Sequence, residues 1–428
     1  MNCPTMVNKN LSGIVGIDFG AKSSAAAFAS GDSKLEGLKV LDQWPEATRR
    51  PLAQFPTSVE VETIAYYDTS SIGLIGWSED KHEVVTSQGR LIGGIYVIAD
   101  FKSRLFPPED YPEEHTVPTL IRDMTADDIA VDYLRHLWRS VSTQAQSLVE
   151  VGTAKGTFQV MMTTPAFWNE ETKTKFREIT RKAGFTEEEG VILDLVSGLE
   201  AALFHTDYMD PSTFTVGDLF MVVDCGGALV EAAAFEVKAK NPLRLERQTS
   251  VSVASCGSAE TTRRFINVAS DKIDKTGLPS YGRVKPAMRR RCRTQFEREV
   301  LLGLGRTSFD IPPEAPGAFW VADVGVEFEC PEADLLEGYM SFREDEIYPC
   351  FDFVIDRTLE LVKDQIAAVE VHFQQLKGCL LVGGFNKCAY YSRKLEAGIT
   401  SLGLTIIQPD YDPVAFAKGA ALSGLNVQ

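Results

Sequence analysis

The chain has 428 residues, 44% hydrophobic and 24% charged, with a formal net charge of −17. This is a globular balance with room for two or more domains, and the acidic excess disfavours polyanionic partners such as nucleic acid. No run of about 18 apolar residues is present to span a membrane. The eight cysteines are spaced singly, as for reduced core thiols rather than a disulfide framework or zinc site. The five histidines form neither HxxxH nor HExxH. The opening MNCPTMVNKN lacks the apolar core of a signal peptide, so a cytoplasmic location is expected.

Ile14 to Phe19 reads as a buried strand, Gly20 to Ser24 as a turn, and Ala25 to Ala29 as a returning strand. Thr125, with Asp128 in the first turn, predicts a helix presenting Ile129, Tyr133, Leu137 and Val141 on one face. Val160 to Thr163 is a strand ending at Pro165. Asn169 caps a helix carrying Phe176 and Ile179 and stopped by Gly184, and a further helix is expected from about Val196 to His205. Phe220 to Val223 and Ala232 to Val237 then flank a glycine turn and repeat the first strand–turn–strand unit. Asp271 to Gly282 and the Pro-rich 311 to 319 read as surface loops. Arg289 to Arg293 is a basic run that reads as a solvated helix face rather than a nucleic-acid patch. Phe351, Ile355, Thr358, Val362 and Ile366 share one helix face, followed by the strand Cys379 to Val382 and by Gly383-Gly384. Asp412 and Pro413 suit the start of a last helix through Leu422.

An Asp-x-Gly turn is by itself ordinary hairpin chemistry. Two of them, at Asp18 and Asp224, suggest a duplicated α/β unit whose turns face one another across a cleft. Paired glycines let backbone amides approach an anion, and strand-end carboxylates can hold a hydrated cation beside it.

GIDFGAKSS (16 to 24), TPAFWNE (164 to 170), VSGLEAA (196 to 202), VVDCGGALVE (222 to 231) and LLVGGFNK (380 to 387) occur in that order. Together they resemble the phosphate loops, connecting segment and adenosine loop of the actin-like ATPase superfamily, most closely the DnaK-type heat shock ATPase domain. VASCGSAETTRRF (253 to 265) and KGAALSG (418 to 424) resemble a divergent fungal branch of that group. The resemblance implies an α/β fold of two lobes, each on a ribonuclease-H-like sheet, with ATP or ADP and magnesium between them. The boundaries expected are a tail over 1–11, lobe one over 12–212, lobe two over 213–408, and a final helix over 409–428 that returns to lobe one. The family's peptide-binding domain is not expected within this sequence.

By the same resemblance, Asp18 and Asp224 match the metal-ordering carboxylates. Gly20, Gly226, Gly227, Gly383 and Gly384 match the nucleotide-cradling glycines, and Lys102 matches a phosphate-reaching lysine. The departures are chemical. Ala21 and Lys22 stand where the first loop has threonines, Gly198-Leu199 where a glutamate precedes proline, and Ala228-Leu229 where the second loop has glycine and threonine; Glu231 replaces its closing aspartate. Lys22 either pairs with Asp18 or Asp224 in place of magnesium or points to solvent. Nucleotide and magnesium are therefore expected to bind weakly or not at all. The readings that follow are a pseudo-ATPase acting by binding a small molecule or a partner protein, an enzyme for non-hydrolytic cyclisation or isomerisation, or a slow ATPase. In the second, Lys22, Asp18, Asp224 and Glu231 would be the catalytic groups.

Overall fold

The computed structural model describes residues 11–30, 37–44, 59–68, 74–76, 95–99, 101–108, 124–149, 156–279, 283–306, 308–309, 317–371 and 375–425. In chain order the first half contains β1 (Leu11–Phe19), β2 (Ser23–Ala29), β3 (Lys39–Val40), β4 (Val61–Glu62), β5 (Ile64–Asp68), β6 (Leu74–Gly76) and β7 (Ile95–Ala99). Helix α1 (Ala126–Ser147), β8 (Thr157–Thr164), α2 (Glu170–Ala183), β9 (Val191–Ser197) and α3 (Gly198–Met209) complete it. The second half contains β10 (Leu219–Cys225), β11 (Val230–Ala239), β12 (Arg244–Arg247), β13 (Ser252–Ala254), α4 (Ser258–Lys275) and α5 (Val284–Gln295). It continues with β14 (Trp320–Asp323), β15 (Leu335–Leu336), β16 (Tyr339–Phe342), α6 (Glu344–Glu370), β17 (Gly378–Val382), α7 (Ala389–Ser401), β18 (Ile406–Ile407) and α8 (Ala415–Leu425). The fold is α/β with mixed sheets and eight α-helices among the described residues.

Two six-stranded sheets share one plan. The first runs β3–β2–β1–β8–β9 with β4 beside β2, the second β12–β11–β10–β17–β18 with β13 beside β11. In each, a leading antiparallel hairpin is extended beyond its first strand by two parallel strands. Parallel pairing requires crossovers, which α1 and α2 supply in the first half and α4 to α7 in the second. Both leading strands, β1 and β10, are central and apolar, as strands covered on both faces must be. Their carboxyl ends carry Asp18 and Asp224.

The helices start where side-chain chemistry satisfies their first amides. Thr125 and Asp128 form a reciprocal capping box at α1, and Asn169 accepts from Thr172 N–H at α2, which ends on left-handed Gly184. The helix expected from about Val196 begins at Gly198. Ser197 is its cap, exchanging hydrogen bonds with Glu200, so Val196 and Ser197 belong to β9. Residues 271–275, read as loop, are the last turn and a half of α4, where Ile273 is buried in the core. The last helix starts two residues beyond Pro413, with Asp412 Oδ1 accepting from Val414 N–H. Most of the Pro-rich 311 to 319 lies outside the described residues. The basic run is solvated and paired, Arg289 with Asp274 and Arg291 with Asp323.

Helix α8 lies on the first sheet. Ala420 and Ala421 bury Ile14 and Met161, while Val414 and Ala417 pack on Ala25 and Ala27. Phe19 is fully buried and stacks on Phe176 and Tyr133, at centroid distances of 6.2 and 5.8 Å. That aromatic block fixes the backbone from which Asp18 projects. No helix among the described residues is long and apolar enough to cross a membrane.

Candidate functional site

The ends of β1, β8, β10 and β17 open into one cavity of about 860 Å³ lined by residues of both halves. That is within the range of small-molecule sites. Asp18 and Asp224 lie on its floor, each half-buried at a strand end. Thr163, at the neighbouring end of β8, donates to Asp18 Oδ1 at 2.6 Å. Asp224 is directly across the β10–β11 hairpin from Glu231. Glu231 is 6% exposed, and its Oε1 accepts from Phe167 N–H of the first half at 3.0 Å. Lys102 starts a short 3-10 turn (Lys102–Arg104) and holds its ammonium 5.3 Å from the Phe19 ring centroid.

Burial dominates the proton affinities of these four groups, and their charges modify it. Burial pushes Asp224 up to about 8, helped by the charges of Glu231 and Asp18 and opposed by Lys102. Burial also pushes Glu231 up to about 7 against the pull of the Phe167 and Ala166 amides and of Lys102. Asp18 is raised by burial too, with Lys102 and Thr163 opposing. Lys102 is lowered by burial, although all three carboxylates resist the shift.

The glycines form the turns between these groups. Gly383 has φ of 95°, and a Cβ there would stand 2.4 Å from Asp224 Oδ1, so only glycine fits beside the carboxylate. Gly384 opens the 3-10 turn Gly384–Lys387. Gly226 N–H is spent inside its own turn on Leu229 O. The Gly226 and Gly227 carbonyls accept from Ser258 and Ala259 N–H at the start of α4. Gly20 closes the β1–β2 turn, its carbonyl accepting from Thr63 Oγ1 at 2.8 Å. Lys22 is exposed and lays its stem across the second turn; a Cβ on Gly227 would meet Lys22 Cγ at 2.6 Å. The two turns thus face each other, and Lys102 is coupled to both aspartates.

Ala21, Gly198, Ala228 and Leu229 all line the cavity. A side chain at Gly198 would have room, the nearest atoms to its Cβ being Phe416 Cε1 at 3.7 Å and Asp224 Oδ2 at 3.8 Å. Several lining groups carried no sequence signal. Ser23 donates to Glu60 Oε1 at 2.6 Å, and Lys387 lies over the Tyr411 ring at 4.0 Å. His205 Nε2 is 3.2 Å from Asp412 Oδ2. Burial pushes Asp412 up, but His205, Lys418 and Val414 N–H outweigh it and hold the carboxyl low. Thr163 entered the sequence reading only as the end of a strand, and its bond to Asp18 is set by the fold.

Among the described residues, no three His, Cys, Asp or Glu side chains assemble as a metal-binding group. Asp18 and Asp224, the residues a magnesium ion would use, share their pocket with the Lys102 ammonium. Two carboxylates do not cage a divalent cation by themselves; one held here beside Lys102 would need waters or ligand oxygens to complete its shell.

Compared with known proteins, the sequence matches no family model and no curated protein.

Proposed function

We propose that the chain has the two-lobed architecture of the actin-like ATPases, in the DnaK-type form, and is a pseudo-ATPase whose cleft binds a small organic molecule. The shared plan of the two sheets and the five ordered motifs support the architecture. The observation that carries the function is the charge and donor balance of the cavity. Its lining includes eight carboxyl groups (Asp18, Glu60, Glu62, Asp224, Glu231, Glu297, Asp410, Asp412) against four basic side chains (Lys22, Lys102, Arg306, Lys387). Five of its hydroxyls are committed: Thr163 to Asp18, Ser23 to Glu60, Ser258 to Gly227 O, Thr164 to Val196 O and Thr206 to Ala202 O. A triphosphate would surrender its hydration here and gain few donors in return.

Hydrolysis also needs groups that position water and stabilise charge on the γ-phosphate. Ala21, Gly198 and Leu229 provide none, and each such loss costs about 10²–10³ in rate. Phosphate release, measured with and without magnesium, is expected at least about 10²-fold below an intact DnaK-type domain. Turnover equal to an intact domain rejects the proposal. Ala21→Thr with Gly198→Glu and Leu229→Thr is expected to recover part of the rate.

A second reading, an acid–base enzyme acting on the bound organic molecule, is favoured by one specific observation. Asp224 and Glu231 titrate near neutrality within one hairpin, with Lys102 beside them. Such a set can donate and accept protons at working pH, as a cyclisation or isomerisation requires.

A further inference from the structure

The geometry points to Lys102 as a nucleophilic amine that captures a small aldehyde or ketone in the cleft as an imine. The inference rests on the reading of the cavity as an organic-ligand site. It is carried by how Lys102, half-buried in the cavity wall, differs from the two buried lysines. Lys272, 3% exposed, is locked to Asp334 and Glu346 at 2.6 and 2.9 Å, and Lys285, 5% exposed, to Asp274 at 2.9 Å. Lys102 lines the cavity, yet no ion pair within 4.0 Å joins it to any described carboxylate; the group it approaches is the face of Phe19. Three carboxylates surround it at longer range and are close enough to bias its charge. Aromatic rings continue the wall, with Phe106 and Trp168 edge to face at 5.1 Å and both lining the cavity.

Those features supply what imine formation requires. Burial favours the neutral amine, whose lone pair is the nucleophile, and a cavity wall of apolar rings holds the carbonyl compound and limits water. Lys102 Nζ adds to the carbonyl carbon as the C=O π pair moves to oxygen. A proton passes from nitrogen to that oxygen, giving a neutral carbinolamine. The Glu231 carboxyl, in its protonated form, then donates its proton to the hydroxyl, which leaves as water while the nitrogen lone pair closes the C=N bond. The product is a cationic imine beside a Glu231 carboxylate, so charge and atoms balance, and water reverses the sequence.

The test uses cinnamaldehyde with cyanoborohydride on the full chain at neutral pH, adducts being mapped by peptide mass spectrometry. Lys102 is expected to be alkylated about tenfold or more faster than the exposed lysines Lys22 and Lys238, because the cavity holds the aldehyde beside an amine whose neutral form burial favours. Lys102→Met removes the fast adduct, and Glu231→Gln slows it. Leu229→Arg, which keeps Lys102 but fills the cavity, returns its labelling to the surface rate, and it serves if Lys102→Met does not fold. Labelling of Lys102 no faster than of Lys22, or fast labelling that survives Leu229→Arg, overturns the proposal. Cinnamyl alcohol, followed by saturation-transfer NMR, tests occupancy alone. If it binds in the absence of a Lys102 adduct, imine capture fails and the cleft reading stands; if neither is seen, both fail.

Discussion

Glu231→Gln isolates the electrostatics of the cleft floor, because glutamine keeps the oxygen that accepts from Phe167 N–H and removes only the titrating proton. Glu231 is raised from 4.5 to about 7. In that window the folded chain holds a proton that the unfolded chain has lost, so stability falls as pH rises from about 4.5 through about 7. At 1.36 kcal/mol per unit, the loss is about 3 kcal/mol, an upper figure because Asp224 titrates in concert with Glu231. The substituted amide carries no such proton, and the change also removes a negative charge from beside Asp224. The assay is thermal unfolding of wild type and variant, followed by circular dichroism at closely spaced pH values, with the difference between the two proteins as readout. Effects common to both cancel. For a cooperative unit of about 200 residues, the melting-temperature difference between the proteins is expected to change by roughly 6–12 °C between pH 5 and pH 8. Wild type is favoured at the acid end. Parallel pH profiles would show that Glu231 titrates normally and that the cleft floor is not desolvated.

Thr163→Val removes the 2.6 Å hydrogen bond to Asp18 and is expected to cost about 1.5–3 kcal/mol in denaturant unfolding; an unchanged midpoint would show that the bond contributes nothing. Phe19→Ala opens a hole in the aromatic block beneath Asp18 and Lys102 and is expected to cost about 3–5 kcal/mol. A melting temperature equal to wild type would contradict that packing.

The elements with local causes were legible in the sequence. The capping chemistry of Thr125 with Asp128, and of Asn169, lies within four residues of the turn it governs. The glycine turns after Asp18 and Asp224 announced themselves because they repeat. The start of the helix near Val196 was legible only approximately, because apolar residues at a strand end continue smoothly into helical spacing, and the Ser197–Glu200 box decides where the strand stops. Residues 271–275 look polar enough for a loop, but Ile273 inserts into the core and carries the helix on. The rim of the site was hidden for a different reason. Glu60, Lys387, Tyr411 and His205 reach the cavity from segments far apart in the chain, and no spacing in the sequence links them. Lys102 was legible as a candidate through resemblance alone. Its company of three carboxylates and one phenyl face is a property of the fold.

The central claim, an organic ligand where the motifs suggest ATP, is tested most directly by native mass spectrometry. Wild type and Leu229→Arg are each incubated with a metabolite extract of the producing cell and with magnesium ATP, then desalted. The expected result is a non-nucleotide mass retained by wild type and lost from Leu229→Arg, with no retained ATP or ADP. Retention of nucleotide by wild type, or a bound mass indifferent to Leu229→Arg, would contradict it.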